Sequence, residues 1–166
     1  MSPPIKQNPL WFNFFRPHND WIEETAQLCQ QHQIFKNIPH ATIRWFVSTM
    51  HPREYRSGEH IFFAGDEGAG AVLLLSGEVE ITHNGTHLAT IVPGDIFGEV
   101  ALVNGKERTA DATATQPSAA VFFLRTDLDE WIESQPQHAC ILLKNLGNML
   151  SQRLLEANRA LSEIAQ

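Results

Sequence analysis

Residues 97–110 read Phe-Gly-Glu-Val-Ala-Leu-Val-Asn-Gly-Lys-Glu-Arg-Thr-Ala and hold the residue types best suited to binding chemistry. Gly98 lets the backbone approach a ligand, and Glu99, Val100 and Ala101 open a short helical turn that aims its amides at it. Arg108 and Thr109 close the stretch. Helix N-terminal amides with an arginine make an anion site. Glu99 would repel a bare phosphate, so it needs a target of its own, and a hydroxyl donor suits a carboxylate. One small ligand carries a single phosphate charge beside a free ribose hydroxyl: a cyclic nucleotide. The competing reading of Glu99 and Arg108 is a surface ion pair, worth at most about 1 kcal/mol. The glycine and the spacing favour the ligand.

Other chemistries find little support. Of the eight histidines none forms His-x-His or His-x-x-His, so the converging ligands of a metal enzyme are missing. His83 and His87 flank an Asn-Gly turn as exposed hairpin residues. No nucleophile–base pair is evident, and the chain is expected to be no enzyme and to use no metal or cofactor. Cys29 and Cys140 lie in helical patterns and are expected as free, buried, reduced thiols. The net charge of −7 with no run of Lys or Arg argues against nucleic acid and against an anionic membrane surface. No stretch nears the roughly 18 apolar residues of a membrane span, and no apolar leader opens the chain. A cytoplasmic protein is expected.

The elements that must position residues 97–110 follow from periodicity. Residues 1–19, with Pro3, Pro4, Pro9, Trp11, Phe12, Phe14, Phe15 and Pro17, form an aromatic, proline-broken arm that either folds back over an apolar groove or docks a partner protein. Asn19 or Asp20 caps a helix with Trp21, Ile22, Thr25, Leu28, Cys29 and His32 on one side. Residues 34–39 break it, and residues 40–50 make a second helix with Ile43, Phe46, Val47 and Met50 inward. Short strands follow from about Glu54, at 61–63, 71–75, 78–81, 88–92, 111–115 and 120–124. Asn84-Gly85 marks a type I′ hairpin turn between His83 and Thr86. Such strands with Gly-rich turns indicate an antiparallel barrel or roll.

From Asp127 the pattern is helical again, with Leu128, Trp131 and Ile132 on one face, and Pro136 allows a new helix start. Leu143, Gly147, Leu150, Leu154, Ala157, Leu161 and Ile164 then step by four and three. That heptad seam suggests Leu143 to Leu150 packing on the chain's own roll and Leu154 to Ile164 pairing with a second copy, a homodimer. The organisation expected is an arm at 1–19, helices and roll at 20–126, and C-terminal helices at 127–166.

Gly58-Glu59-His60-Ile61 with Gly65-Asp66, Leu74-Leu75-Ser76-Gly77-Glu78-Val79, and Phe97-Gly98-Glu99 through Arg108-Thr109-Ala110 together resemble the cyclic-nucleotide-binding domain family, in the form of bacterial catabolite-activator-like sensors. The resemblance spans about residues 34–161. It implies an α+β, mainly β fold: an antiparallel double-stranded β-helix, or jelly-roll-like β-roll, flanked by N-terminal helices and a long C-terminal helix. It also implies a phosphate-binding cassette at residues 97–110. Phe97 and Gly98 would frame the ligand, Glu99 would hold the ribose 2′-hydroxyl, and Arg108 would clasp the cyclic phosphate. Thr109 would add a hydroxyl contact beside Ala110, with the amides of Glu99, Val100 and Ala101 nearby. Asn158 of the long helix would meet the base. Activator relatives continue into a helix-turn-helix domain that these residues do not contain, so direct DNA binding by this chain is not expected. The implied function is a sensor that couples ligand binding to movement of the C-terminal helix. cAMP is placed ahead of cGMP, although Thr109 occurs with either preference. The alternative is a ligand-independent dimerisation scaffold on the same fold.

Overall fold

The computed structural model describes residues 18–164. Helix α1 (His18–Gln31), a 3-10 turn (Gln33–Phe35) and α2 (His40–Val47) lead into the strands. These are β1 (His51–Tyr55), β2 (His60–Phe62), β3 (Gly70–Ser76), β4 (Val79–His83), β5 (Thr86–Ile91) and β6 (Ile96–Phe97). The short helix α3 (Val100–Asn104) precedes β7 (Asp111–Ala114) and β8 (Ser118–Leu124), and α4 (Arg125–Ser134) and α5 (Pro136–Ile164) complete the order. The strands form two antiparallel four-stranded sheets, ordered β1-β8-β3-β6 and β2-β7-β4-β5. This is the expected β-roll with flanking helices.

Two apolar cores explain the strand sequences. Val72, Leu74, Val79, Phe97, Ala112 and Ala120 fill the space between the sheets. Ala71, Leu73, Ile96, Val121 and Phe123 point the other way and meet the helices. The middle of β3 is therefore buried on both faces and reads as a continuous apolar run rather than an alternation. On the helical side Phe46 stacks on Trp131 at 4.2 Å between centroids and meets Phe123 edge-on at 4.4 Å. At the Asn84-Gly85 turn both residues take positive φ, 50° and 76°, and His83 pairs with Thr86 as expected.

Several expectations are corrected. Helix α1 already runs at His18, so Asn19 and Asp20 lie inside it rather than capping it, and residues 1–17 of the expected arm fall outside the described residues. Ile132 is exposed while Leu128 and Trp131 are buried, because it lies on the outer side of α4. Asp127 is the third residue of α4, where its carboxylate accepts the Leu124 N–H at 2.9 Å. Cys140 is exposed, and only Cys29 is buried; both are free. On α5 the inward stripe is Ala139, Leu142, Leu146 and Met149, with Leu143 and Leu150 flanking it and Gly147 exposed. A helix lying on a broad core buries such a wide stripe rather than a narrow seam. Beyond Leu150, every residue of α5 to Glu163 is exposed, including Leu154, Leu155 and Leu161.

Candidate functional site

Strand β6 delivers the site. Phe97 is buried between the sheets, and the chain then turns at Gly98 with φ +67°. A Cβ on Gly98 would stand 2.3 Å from Arg108 Nη1, so the absent side chain is what admits the guanidinium. Arg108 arrives from the far end of the loop and is fixed by backbone. Its Nη1 donates to Gly98 O at 2.9 Å and its Nη2 to Gly70 O at 2.7 Å. The guanidinium carbon lies 4.2 Å from the centre of the Phe62 ring, a cation–π contact. Its own backbone is pinned too, with the Arg108 N–H donating to Asp66 O and Gly65 N–H donating to Arg108 O, both at 2.8 Å.

That leaves donors without partners. Nε of Arg108 is buried and makes no hydrogen bond among the described residues. Burial pushes the Arg108 pKa below its ordinary value, and the carboxylates of Asp66 and Glu99 pull it partly back. A buried orphan donor on a cation is costly and calls for an anionic partner.

Glu99 immediately precedes α3 and is 4% exposed. Its Oε1 is paired with Nη1 of Arg153, which reaches in from the otherwise exposed stretch of α5. A carboxylate has two acceptor oxygens, and the bond from Arg153 is to Oε1. Ala101 is buried beside it, and its amide already donates to Gly98 O at 3.3 Å. Val100 faces solvent.

Phe97, Gly98, Glu99, Ala101 and Arg108 are thus drawn into one place. Thr109 is exposed next to Arg108, and Ala110 is half-buried. Asn158 is exposed on α5, five positions past Arg153, with its carbonyl accepting the Ser162 hydroxyl at 2.8 Å. Three contributors escaped sequence reasoning: Phe62, the carbonyl of Gly70, and Arg153. A ring face and a backbone oxygen carry no sequence signal. Arg153 lies 54 positions from its partner, on a helix whose register no motif fixes.

A family model described as "Cyclic nucleotide-binding domain" matches residues 52–135, half of the chain. The chain belongs to the cyclic-nucleotide-binding domain family. The "Cyclic AMP receptor protein" of Thermus thermophilus is 32% identical over 130 residues, covering 75% of this chain and 58% of its own length. The crystal structure of the Thermus thermophilus catabolite activator protein matches with a TM-score of 0.72 and 30% identity, over 81% of this chain and 63% of that one. A cyclic nucleotide-binding domain from Methylobacillus flagellatus matches with a TM-score of 0.74 at 23% identity, over 87% of this chain and 85% of that one, which shows the shared fold. The chain therefore spans about three fifths of the length of the activator relative it resembles. The family match runs from β1 to the end of α4, so residues 97–110 lie inside it while Arg153 and Asn158 lie beyond it.

Proposed function

We propose that this domain is a cyclic-nucleotide sensor in which Arg108 takes the cyclic phosphate and Glu99 the ribose 2′-hydroxyl. The observation that carries the reading is the buried, unpartnered Nε–H of Arg108 on a guanidinium held in place by two carbonyls. The guanidinium is already oriented by two backbone carbonyls, and preorganisation of this kind is what lets few contacts give affinity. Thr109 adds a hydroxyl to the phosphate side, Phe97, Val100 and Ala110 line the cassette, and Asn158 meets the base. Since the Thermus thermophilus relative is by name a cyclic AMP receptor, cAMP is the first ligand to test and cGMP the second.

The signal leaves through α5. Glu99 is the residue proposed for the ribose and also the one that Arg153 grips, so ligand and helix share one carboxylate. A ligand biases α5 only by preferring one arrangement of this pair over another. The exposed leucines Leu154, Leu155 and Leu161 supply an apolar strip for a second copy, giving a dimer whose geometry the ligand alters. Among the described residues no helix is long and apolar enough to cross a membrane, and no group of three His, Cys, Asp or Glu is placed to hold a metal. The family and its receptor-named relative support a regulatory rather than catalytic role, acting through the dimer or a partner protein, with the cytoplasm as the expected compartment.

Calorimetric titration with cAMP and cGMP tests this. Binding at micromolar levels that Arg108→Ala abolishes is expected. If neither nucleotide binds, or Arg108→Ala binds as well as the parent, the sensor reading fails, and a dimer indifferent to both nucleotides would favour a scaffold. A strict monomer at high concentration removes the pairing role of α5.

A further inference from the structure

Arg108 is anchored from three directions, but Thr109 beside it is exposed and depends on one side chain. His83, the last residue of β4, places Nδ1 2.8 Å from Thr109 O. A carbonyl oxygen only accepts, so Nδ1 carries a proton, and in the neutral ring Nε2 is then an acceptor. Asn84 Nδ2 lies 3.2 Å from Nε2 and is the matching donor. Both contacts specify the same tautomer.

The backbone sets where that imidazole stands. His83 closes the tight Asn84-Gly85 turn opposite Thr86, and its neighbour Thr82 pairs with Asp111, the first residue of β7. The β4–β5 hairpin therefore abuts the exit of the cassette. On the other side the loop after β2 grips Arg108 through Gly65 and Asp66. Arg108 and Thr109 are consecutive, yet one is registered by the 63–66 loop and the other by the hairpin. Without the imidazole, the Thr109 carbonyl loses the hydrogen bond that ties it to the hairpin.

We infer that His83 is a positioning residue for the ligand site: by fixing the Thr109 carbonyl it aims the Thr109 hydroxyl at the cyclic phosphate. This rests on the sensor reading given above.

The test is a calorimetric titration with cAMP of the parent chain, His83→Ala, His83→Asn, Thr109→Ala and the double variant His83→Ala/Thr109→Ala, with Arg108→Ala as the reference for the site. His83→Ala should weaken cAMP by about three- to tenfold, the range one hydrogen bond carries. His83→Asn, whose amide nitrogen stands near the position of Nδ1, should recover most of that. Adding His83→Ala to Thr109→Ala should cost little more, because both act on one hydroxyl. Unaltered affinity in His83→Ala, no recovery in His83→Asn, or losses that simply add would each overturn the assignment. If Arg108→Ala abolishes binding while His83→Ala does not weaken it, only the role of His83 falls. If the parent chain does not bind, or Arg108→Ala binds equally, the sensor reading falls and takes this one with it. A ligand-free measurement stands beside these: nitrogen shifts of the His83 ring should report the Nδ1–H tautomer, and the Nε2–H tautomer would contradict the tether.

Discussion

Replacing Gly98 by alanine tests the geometry of the site without any ligand. The added Cβ would meet Arg108 Nη1 at 2.3 Å, Arg108 Cζ at 3.2 Å and Phe62 Cε1 at 3.6 Å. Two costs follow. The residue keeps φ near +67°, which costs an L-residue about 1–2 kcal/mol. The guanidinium must also withdraw, giving up its bond to Gly98 O. A bond from a charged donor is worth about 1.5–3 kcal/mol when buried, and the partial exposure of Arg108 brings this to about 1 kcal/mol. The sum, about 2–3 kcal/mol, lowers Tm by about 5–10 °C in a chain of this length. The assay is thermal unfolding of four proteins: the parent, Gly98→Ala, Arg108→Ala and the double variant. With Arg108 truncated the collision vanishes and only backbone strain remains, so Gly98→Ala should cost about 1 kcal/mol less there than in the parent. Equal costs in both backgrounds would refute the claim that this glycine exists to admit the guanidinium.

Other expectations concern groups around the site. Arg153→Ala leaves the Glu99 carboxylate buried without its cation; hydrogen exchange of amides in 150–160 should rise with a stability loss of about 1–2 kcal/mol, and unchanged exchange would show that the pair does not hold α5. Burial pushes the His32 imidazole below its ordinary pKa, with Asp95 opposing and Arg153 reinforcing the shift. The folded chain then binds fewer protons than the unfolded one, so this stability is complete above the unfolded value of about 6.5 and is lost as pH falls below it. Tm should drop more between pH 7.5 and 5.5 in the parent than in His32→Asn, which retains an acceptor for the Ile34 N–H; parallel profiles would contradict this. Burial pushes the Cys29 thiol up to about 12 while Cys140 is exposed, so a thiol reagent at pH 8 should label one site per native chain and two after unfolding.

How far the sequence could be read depended on whether a feature was local. The Asn84-Gly85 hairpin, the inward set Ile43, Phe46, Val47 and Met50, and the break after α1 rest on neighbouring residues and appear as expected. Gly98, Glu99 and Arg108 could be singled out together because they lie within one loop, and the fold does bring them close to one another. Ile132, Cys140 and the stripe of α5 were misread because apolar character marks a helix face only to within a residue or so. Leu142, Leu146 and Met149 serve the core as well as Leu143 and Leu150 do in the pattern. Strand β6 is two residues long and too short to leave a period. Arg153 depends on how α5 crosses the roll, and the Phe62 and Gly70 contacts depend on sheet packing. No local pattern encodes either.

The division of labour between the two charged residues is the central claim, and 2′-deoxy-cAMP addresses it most directly. Titrated against cAMP on the parent chain, it lacks only the hydroxyl proposed for Glu99. A hydrogen bond to a carboxylate predicts about tenfold or more in favour of cAMP. In Glu99→Gln that preference should shrink sharply while both nucleotides still require Arg108. A parent chain that binds the two nucleotides equally, or binds neither, would contradict the account.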